Sequence, residues 1–299
     1  MIEVRNIYKS FDDIDVLTNV AFTVNKGSIY GLLGSNGAGK TTLLKHVAGI
    51  YKENSGTVTI DQQQVFENTS MKSRMIFLPD TLYFFAQYTI KQMANFYRSI
   101  YVNWNEERLQ YLRQIFEIDV KKRIQKLSKG MQRQVAFWLT LSAMPEVIIL
   151  DEPFDGLDPV IRKKVKSLIL QDVAERQMTV LISSHNLREI EDICDHVGIL
   201  HKGELLLEKD LDDLKSDIHK VQVAFKKGIP DQLFDDIKPI YKEERGSVLL
   251  CIVRGEYESI SREFQAYDPV IFDILPLTLE EIFIYEMGDV GYAVKNILV

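Results

Sequence analysis

Cysteine is scarce: Cys194 and Cys251 are the only 2 in 299 residues, and neither has a second thiol or a histidine at metal-ligand spacing. That excludes a disulfide scaffold and a zinc module and fits reduced thiols. Positive charge is also short, since 36 Lys and Arg against 43 Asp and Glu leave a formal net charge of -7. Broad binding to DNA or RNA rests on cations that neutralise phosphates, so no nucleic-acid partner is expected. Long apolar runs are missing as well. The most apolar helical stretch, residues 135–144, is about half of the roughly 20 residues that span a bilayer. Residues 1–5 lack the apolar run of a signal peptide. Work done at a membrane is therefore expected to pass through a partner. Neither internal repeats nor low-complexity tracts occur.

The length and apolar fraction suit two packed domains. Residues 16–24 alternate apolar and polar, and residues 28–33 form a short apolar run ending at Gly34; both read as strands. A helical pattern covers residues 40–47, residues 56–60 and 74–78 read as strands, and Pro79-Asp80 breaks the pattern. From residue 90 to 116 the period is helical and rich in aromatics, within a surface helical subdomain placed at about residues 85–145. Strand, helix and strand alternate through residues 147–150, 161–176 and 179–183, an α/β pattern. Residues 197–200 and 204–207 form a hairpin through Lys202-Gly203. Past Asp210 the texture changes. Strands at 219–226, 238–243, 247–254 and 269–275 and helices at 230–236 and 256–267 give the βαββαβ order of a ferredoxin-like module. A further helix is expected at residues 278–287, capped by Thr278. The expected division is residues 1–217 and a small α+β domain at residues 218–299.

Gly34-Ser35-Asn36-Gly37-Ala38-Gly39-Lys40-Thr41 matches G-x-x-x-x-G-K-[ST] between a strand and a helix. The glycines let backbone N–H groups wrap a phosphate, and the helix N-terminus adds positive potential. Lys40 is expected to reach the β- and γ-phosphates of ATP and the Thr41 hydroxyl to ligate Mg²⁺, with Thr42 a helix residue close to the phosphates. Asp151 ends a strand too apolar to be exposed, so its charge needs a partner, and Mg²⁺ is the natural one. Glu152 follows at the carboxyl end of that strand, where ligands of open α/β sheets bind. There it is placed to accept a proton from an attacking water.

Upstream lies Leu127-Ser128-Lys129-Gly130-Met131-Gln132, a Ser-x-Gly helix start. That start, followed by an apolar strand ending in Asp151-Glu152, resembles the ABC ATPase family over about residues 1–209. The resemblance implies a phosphate-loop ABC ATPase core with an antiparallel β subdomain and a helical subdomain. It implies a dimer in which Ser128 and Gly130 complete the nucleotide site of a second copy, while Asp151 and Glu152 act in their own. A homodimer is chemically sufficient, and a heterodimer with a related ATPase stays open. His185, in Ser183-Ser184-His185-Asn186-Leu187, matches the family's switch histidine, which senses the γ-phosphate. Phe11 stands where the family stacks an aromatic on adenine, with Tyr8 a close competitor and a core role open for either. Asp155-Gly156-Leu157-Asp158 would run along the dimer interface. His46, His196, His201 and His219 are read as structural or solvated.

Three positions depart from the family. Asp80 replaces the usual glutamine and still offers Mg²⁺ an oxygen. Lys129 replaces a glycine, and Met131 replaces a glutamine. Tyr83, Phe84, Phe85, Tyr88, Phe96, Tyr97, Tyr101 and Trp104 fall where the family receives the cytoplasmic helices of its membrane subunit; about half are expected to build subdomain core instead. The implied function is an ATP-binding and ATP-hydrolysing subunit, cytoplasmic and peripheral on the inner face of the cell membrane through a cognate transmembrane permease subunit. Residues 276–283 resemble the tail of bacterial ATPases that export peptides or drugs. The alternative is a soluble ABC ATPase acting on ribosomes or DNA, against which stand the single cassette and the short insert between Lys40 and Ser128. A stand-alone phosphate-loop kinase or GTPase gives no reason for Ser128-Lys129-Gly130 or His185.

Overall fold

The computed structural model describes residues 2–226, 228–230, 232–278, 280–282 and 285. It divides into two units, residues 1–208 and 209–299. The division falls ahead of the 217/218 boundary read from the sequence, because the helix at Leu211–Asp217 packs on the strand that follows it.

In the first unit, β1 (Ile2–Phe11) and β2 (Ile14–Val24) pair antiparallel. No sequence period marks β1, since its register shifts three times and Asn6 turns left-handed within it. β3 (Ile29–Leu33) is buried throughout and feeds the turn before α1 (Lys40–Val47). β4 (Ser55–Ile60) and β5 (Gln63–Gln64) complete a four-stranded sheet of order β2-β1-β4-β5. A short α2 (Thr69–Lys72) leads to β6 (Met75–Leu78).

The helical run expected at residues 90–116 is two helices, α3 (Ile90–Ile100) and α4 (Glu106–Phe116). Both carry caps that explain the break. Thr89 and Gln92 form a capping box on α3, and the Asn105 side chain accepts from Arg108 N at 2.8 Å to start α4. α5 (Lys129–Ser142) is capped by Ser128 and buries Trp138, whose Nε1 donates to Leu109 O at 2.9 Å. This bond joins α5 to α4.

β7 (Val147–Asp151) leads to α6 (Pro159–Arg176), then β8 (Thr179–Ser184), α7 (Leu187–Ile190), β9 (His196–His201) and β10 (Glu204–Asp210). The second sheet has the order β10-β9-β3-β8-β7-β6, and β3, β7 and β8 are buried at every residue. That is the signature of parallel strands covered on both faces. Helix α6 starts at Pro159, earlier than the apolar period indicates. The Asp158 carboxylate caps it, accepting from Val160 N at 3.1 Å and Ile161 N at 3.0 Å, and Pro159 lacks the N–H that would otherwise need a partner. Asp158→Ala is expected to cost about 1 kcal/mol, and Asp158→Asn a few tenths. Urea denaturation midpoints of the two variants check this.

Asp172 of α6, 3% exposed, joins the helical subdomain to the sheet. Arg108 of α4 meets its Oδ1 at 2.8 Å, and Arg176 meets its Oδ2 at 3.0 Å and also donates to Pro145 O.

In the second unit, α8 (Leu211–Asp217) is followed by β11 (Ile218–Ala224), α9 (Leu233–Ile237), β12 (Tyr241–Arg245), β13 (Val248–Arg254), α10 (Tyr257–Gln265) and β14 (Ile271–Leu275). Its sheet is antiparallel throughout with order β12-β13-β11-β14, the ferredoxin-like arrangement. Val221, Val223, Leu249, Val253, Ile260 and Phe264 form its core. Thr278 and Glu281 cap each other at the start of the last helix, and residues 279, 283, 284, 286 and 287 of the helix expected at 278–287 lie outside the described residues. Both cysteines are buried and free; burial pushes the Cys251 thiol up to about 11 and that of Cys194 further. Among the described residues no helix is long and apolar enough to cross a membrane.

Candidate functional site

Parallel pairing sets three strand ends side by side. Leu33 of β3 pairs with Ser184 of β8, and Asp151 of β7 pairs with Ser183. The glycine-rich loop, the two carboxylates and His185 therefore leave the sheet at one edge, where α/β sheets bind ligands.

The loop and the first turn of α1 line a cavity of about 400 Å³ with Ser35, Asn36, Gly37, Ala38, Gly39, Lys40, Thr41, Thr42, Asp80, Glu152 and Val16. Gly37 has φ +82° and nothing within 4 Å of where a Cβ would stand, so its free side is open to a ligand. Gly39 offers α1 no side-chain cap, which leaves the first-turn N–H groups to an anion. Lys40 is only 6% exposed. Its ammonium donates to Gly34 O at 2.7 Å and Ser35 O at 3.2 Å, and pairs with Glu152 Oε1 at 3.2 Å without hydrogen-bond geometry.

Asp151 is buried and held by two hydroxyls, Thr41 Oγ1 and Ser183 Oγ, each 2.7 Å away. Glu152 Oε2 accepts from His185 N at 3.2 Å and lies 2.9 Å from His185 Nδ1. A carboxylate only accepts, so that nitrogen carries the proton and a neutral ring keeps the Nε2 lone pair outward. Asp155 also brings a carboxylate oxygen within 4.8 Å of the Glu152 and His185 ligand atoms. Behind this trio stands Glu189 of α7, whose carboxyl burial holds above the usual range, against the pull of Arg162 at 2.8 Å.

Two residues with no assigned role in the sequence reading tie the carboxylates in place. Ser183 Oγ accepts from Glu152 N at 3.0 Å, while Arg133 of α5 donates to Glu152 O at 2.6 Å. Arg133 also reaches Asp80, whose carboxylate was expected to face a metal. The oxygens of Thr41, Asp151 and Asp80 make a hard donor set that suits Mg²⁺.

Other expected residues lie apart. Phe11 is not among the residues lining the cavity; it is 40% exposed, edge-on to Tyr51 at 5.6 Å and 5.0 Å from Lys9 Nζ. Ser128 is exposed at the start of α5, where Gly130 packs so close that a Cβ would meet Gly156 O at 2.8 Å. Of the eight aromatics after Asp80, Phe84 is buried, Tyr83, Phe85 and Tyr88 are exposed, and the others are half-buried. Phe85 and Phe96 stack edge to face, centroids 4.9 Å apart.

Residues 17–155 match the family model described as ABC transporter. The ABC transporter ATP-binding protein YtrB of Bacillus subtilis is 35% identical over 290 residues, spanning 96% of this chain and 98% of that protein. The bacitracin transport ATP-binding protein BcrA of Bacillus licheniformis is 34% identical over 218 residues, 72% of this chain and 71% of BcrA. Among solved structures, an ATP-binding subunit of an ABC transporter superposes with a TM-score of 0.67 at 26% identity, over 72% of this chain and 92% of the other.

Proposed function

Because the chain belongs to the family of ABC transporter ATP-binding proteins and is an ATPase, we propose that it powers export of peptide antibiotics or drugs through a separate membrane permease. The observation that supports the ATP-hydrolysing part of this reading is the convergence of Lys40, Asp151, Glu152 and His185 at the carboxyl ends of neighbouring strands. Similarity to YtrB over nearly the whole chain supports an ABC transporter, and the bacitracin transport ascribed to BcrA supports the cargo class.

In this reading the loop N–H groups and Lys40 hold the β- and γ-phosphates of ATP. Thr41, Asp151 and Asp80 would hold Mg²⁺, which neutralises phosphate charge when bound. Glu152 accepts the proton of a water as its oxygen attacks the γ-phosphorus and ADP leaves. His185, oriented by Glu152 through Nδ1–H, turns the lone pair of Nε2 toward that water, from which it can accept. Ser128 and Gly130, which do not line the cavity of their own loop, complete the site of a second copy. ATP closes the dimer, homomeric or with a related ATPase, and product release opens it. The exposed Tyr83, Phe85 and Tyr88 receive the permease, which keeps the protein on the inner face of the cell membrane.

Copurification tests the assignment. The tagged chain is expected to recover a multi-span membrane protein, and recovery with ribosomes or DNA instead would sink the transporter reading. Tyr83→Ser, at a position 82% exposed, is expected to weaken that association at least about fivefold while leaving the isolated ATPase unchanged, as loss of an interface aromatic does. Quantitative pull-down beside ATPase assays measures both.

A further inference from the structure

We propose that Arg133 is a positioning residue that ties the helical subdomain to Glu152 and Asp80 at once, and so holds the glutamate in its reactive orientation. The inference rests on the proposed role of Glu152 as base. It starts from the backbone of Glu152, which has φ +45°, a left-handed conformation rare outside glycine. Pro153 follows, and proline biases the preceding residue toward extended torsions. Local preference therefore opposes the observed conformation, which tertiary contacts have to impose.

Those contacts are identifiable. The strand pairing of β7 ends at Asp151. Beyond it the Glu152 N–H is held by Ser183 Oγ at 3.0 Å, and the Glu152 carbonyl accepts from Arg133 Nη1 at 2.6 Å and, more weakly, from Asp155 N at 3.4 Å. With the backbone clamped at both ends, the side chain sets Oε1 beside Lys40 and Oε2 beside His185. Ser183 belongs to the sheet. Arg133 belongs to α5, whose start carries Ser128 and Gly130, so this end of the clamp moves with the helical subdomain.

The second arm of the guanidinium explains an otherwise unaccounted departure. Arg133 Nη2 donates to Asp80 O at 2.7 Å and Asp80 Oδ1 at 3.1 Å. An amide at position 80 could also accept from the guanidinium, but only the carboxylate adds a second, opposite charge to the bond. Asp80 opens the segment that leads to Tyr83 and Phe85, so one planar cation joins the segment bearing the exposed aromatics to the backbone of the base. The Arg133 side chain is 11% exposed and the Asp80 carboxylate 53%, so the guanidinium is fixed at the base while its outer arm meets solvent.

Steady-state ATP hydrolysis and trinitrophenyl-ATP binding by the full chain test this for Arg133→Met, Arg133→Lys, Glu152→Gln and the Arg133→Met/Glu152→Gln double variant. Arg133→Met is expected to lower kcat about tenfold or more, with KM for Mg-ATP and nucleotide affinity within about twofold. Lysine has one ammonium and no fork, so Arg133→Lys should keep only part of the rate. In single turnover, adding Arg133→Met to Glu152→Gln should cause no further loss, because residues that act through one group are not additive. Unchanged kcat in Arg133→Met beside a crippled Glu152→Gln overturns the inference and leaves the base intact. Additive losses, or a parallel loss of nucleotide affinity, assign Arg133 a merely structural role and also overturn it. Wild-type turnover in Glu152→Gln removes the base itself. Should Arg133→Met fail to fold, Arg133→Lys decides: lower kcat at constant KM supports the inference, and unchanged kcat refutes it.

Discussion

Glu152→Gln is expected to lower ATP turnover by about 10²- to 10⁴-fold, the range for loss of a general base, while ATP still binds and holds two copies together. The amide keeps the size of the carboxylate and can accept from His185, so the cavity wall is retained. What is lost is the capacity to take a proton from water. Closure no longer ends in hydrolysis, and the ATP-bound dimer should accumulate. Phosphate release gives the rate, and gel filtration with and without ATP gives the association state. A variant that turns over at the wild-type rate, or that stays monomeric in ATP, would remove Glu152 from this role.

Lys40→Met is expected to fail earlier, at nucleotide capture and at the chemical step. Among the described residues lining the cavity Lys40 is the one cation, facing the carboxylates of Asp80 and Glu152. Without it the loop still offers N–H groups, but the Glu152 carboxylate loses the cation beside it, while Asp80 keeps its pair with Arg133. Loss of a single preorganised donor to developing charge costs about 10²- to 10³-fold in rate; kcat/KM should fall by at least that much. Nucleotide affinity should fall too, in contrast to Glu152→Gln. Equilibrium binding of trinitrophenyl-ATP to the two variants separates the effects, and undiminished affinity in Lys40→Met would refute this account of capture.

The elements positioning the site were the most legible. Residues 40–47 fold as the helix expected there, and the apolar run 147–150 is a fully buried strand, because burial on both faces leaves a compositional mark. The ferredoxin-like order was likewise readable from alternating strands and amphipathic helices. β1 was not readable, since its pairing is interrupted by register shifts that erase the period of two. The single helical run at 90–116 concealed a break, because Asn105 acts through a local side-chain bond that periodicity does not see. Motif residues Lys40, Thr41, Asp151, Glu152 and His185 converge, their spacing being a property of the sheet edge. Arg133 and Ser183 carried no comparable signal: their bonds to the Glu152 backbone ask for no residue type at position 152, and their carboxylate partners Asp80 and Asp151 lie 53 and 32 positions away.

Asp172 stiffens one seam of the helical subdomain. Arg108 and Arg176 converge on one buried carboxylate, and Arg176 continues to the carbonyl at Pro145, just ahead of β7. Separating α4 from α6 would leave guanidinium charge buried without its counter-ion, so that seam resists shear.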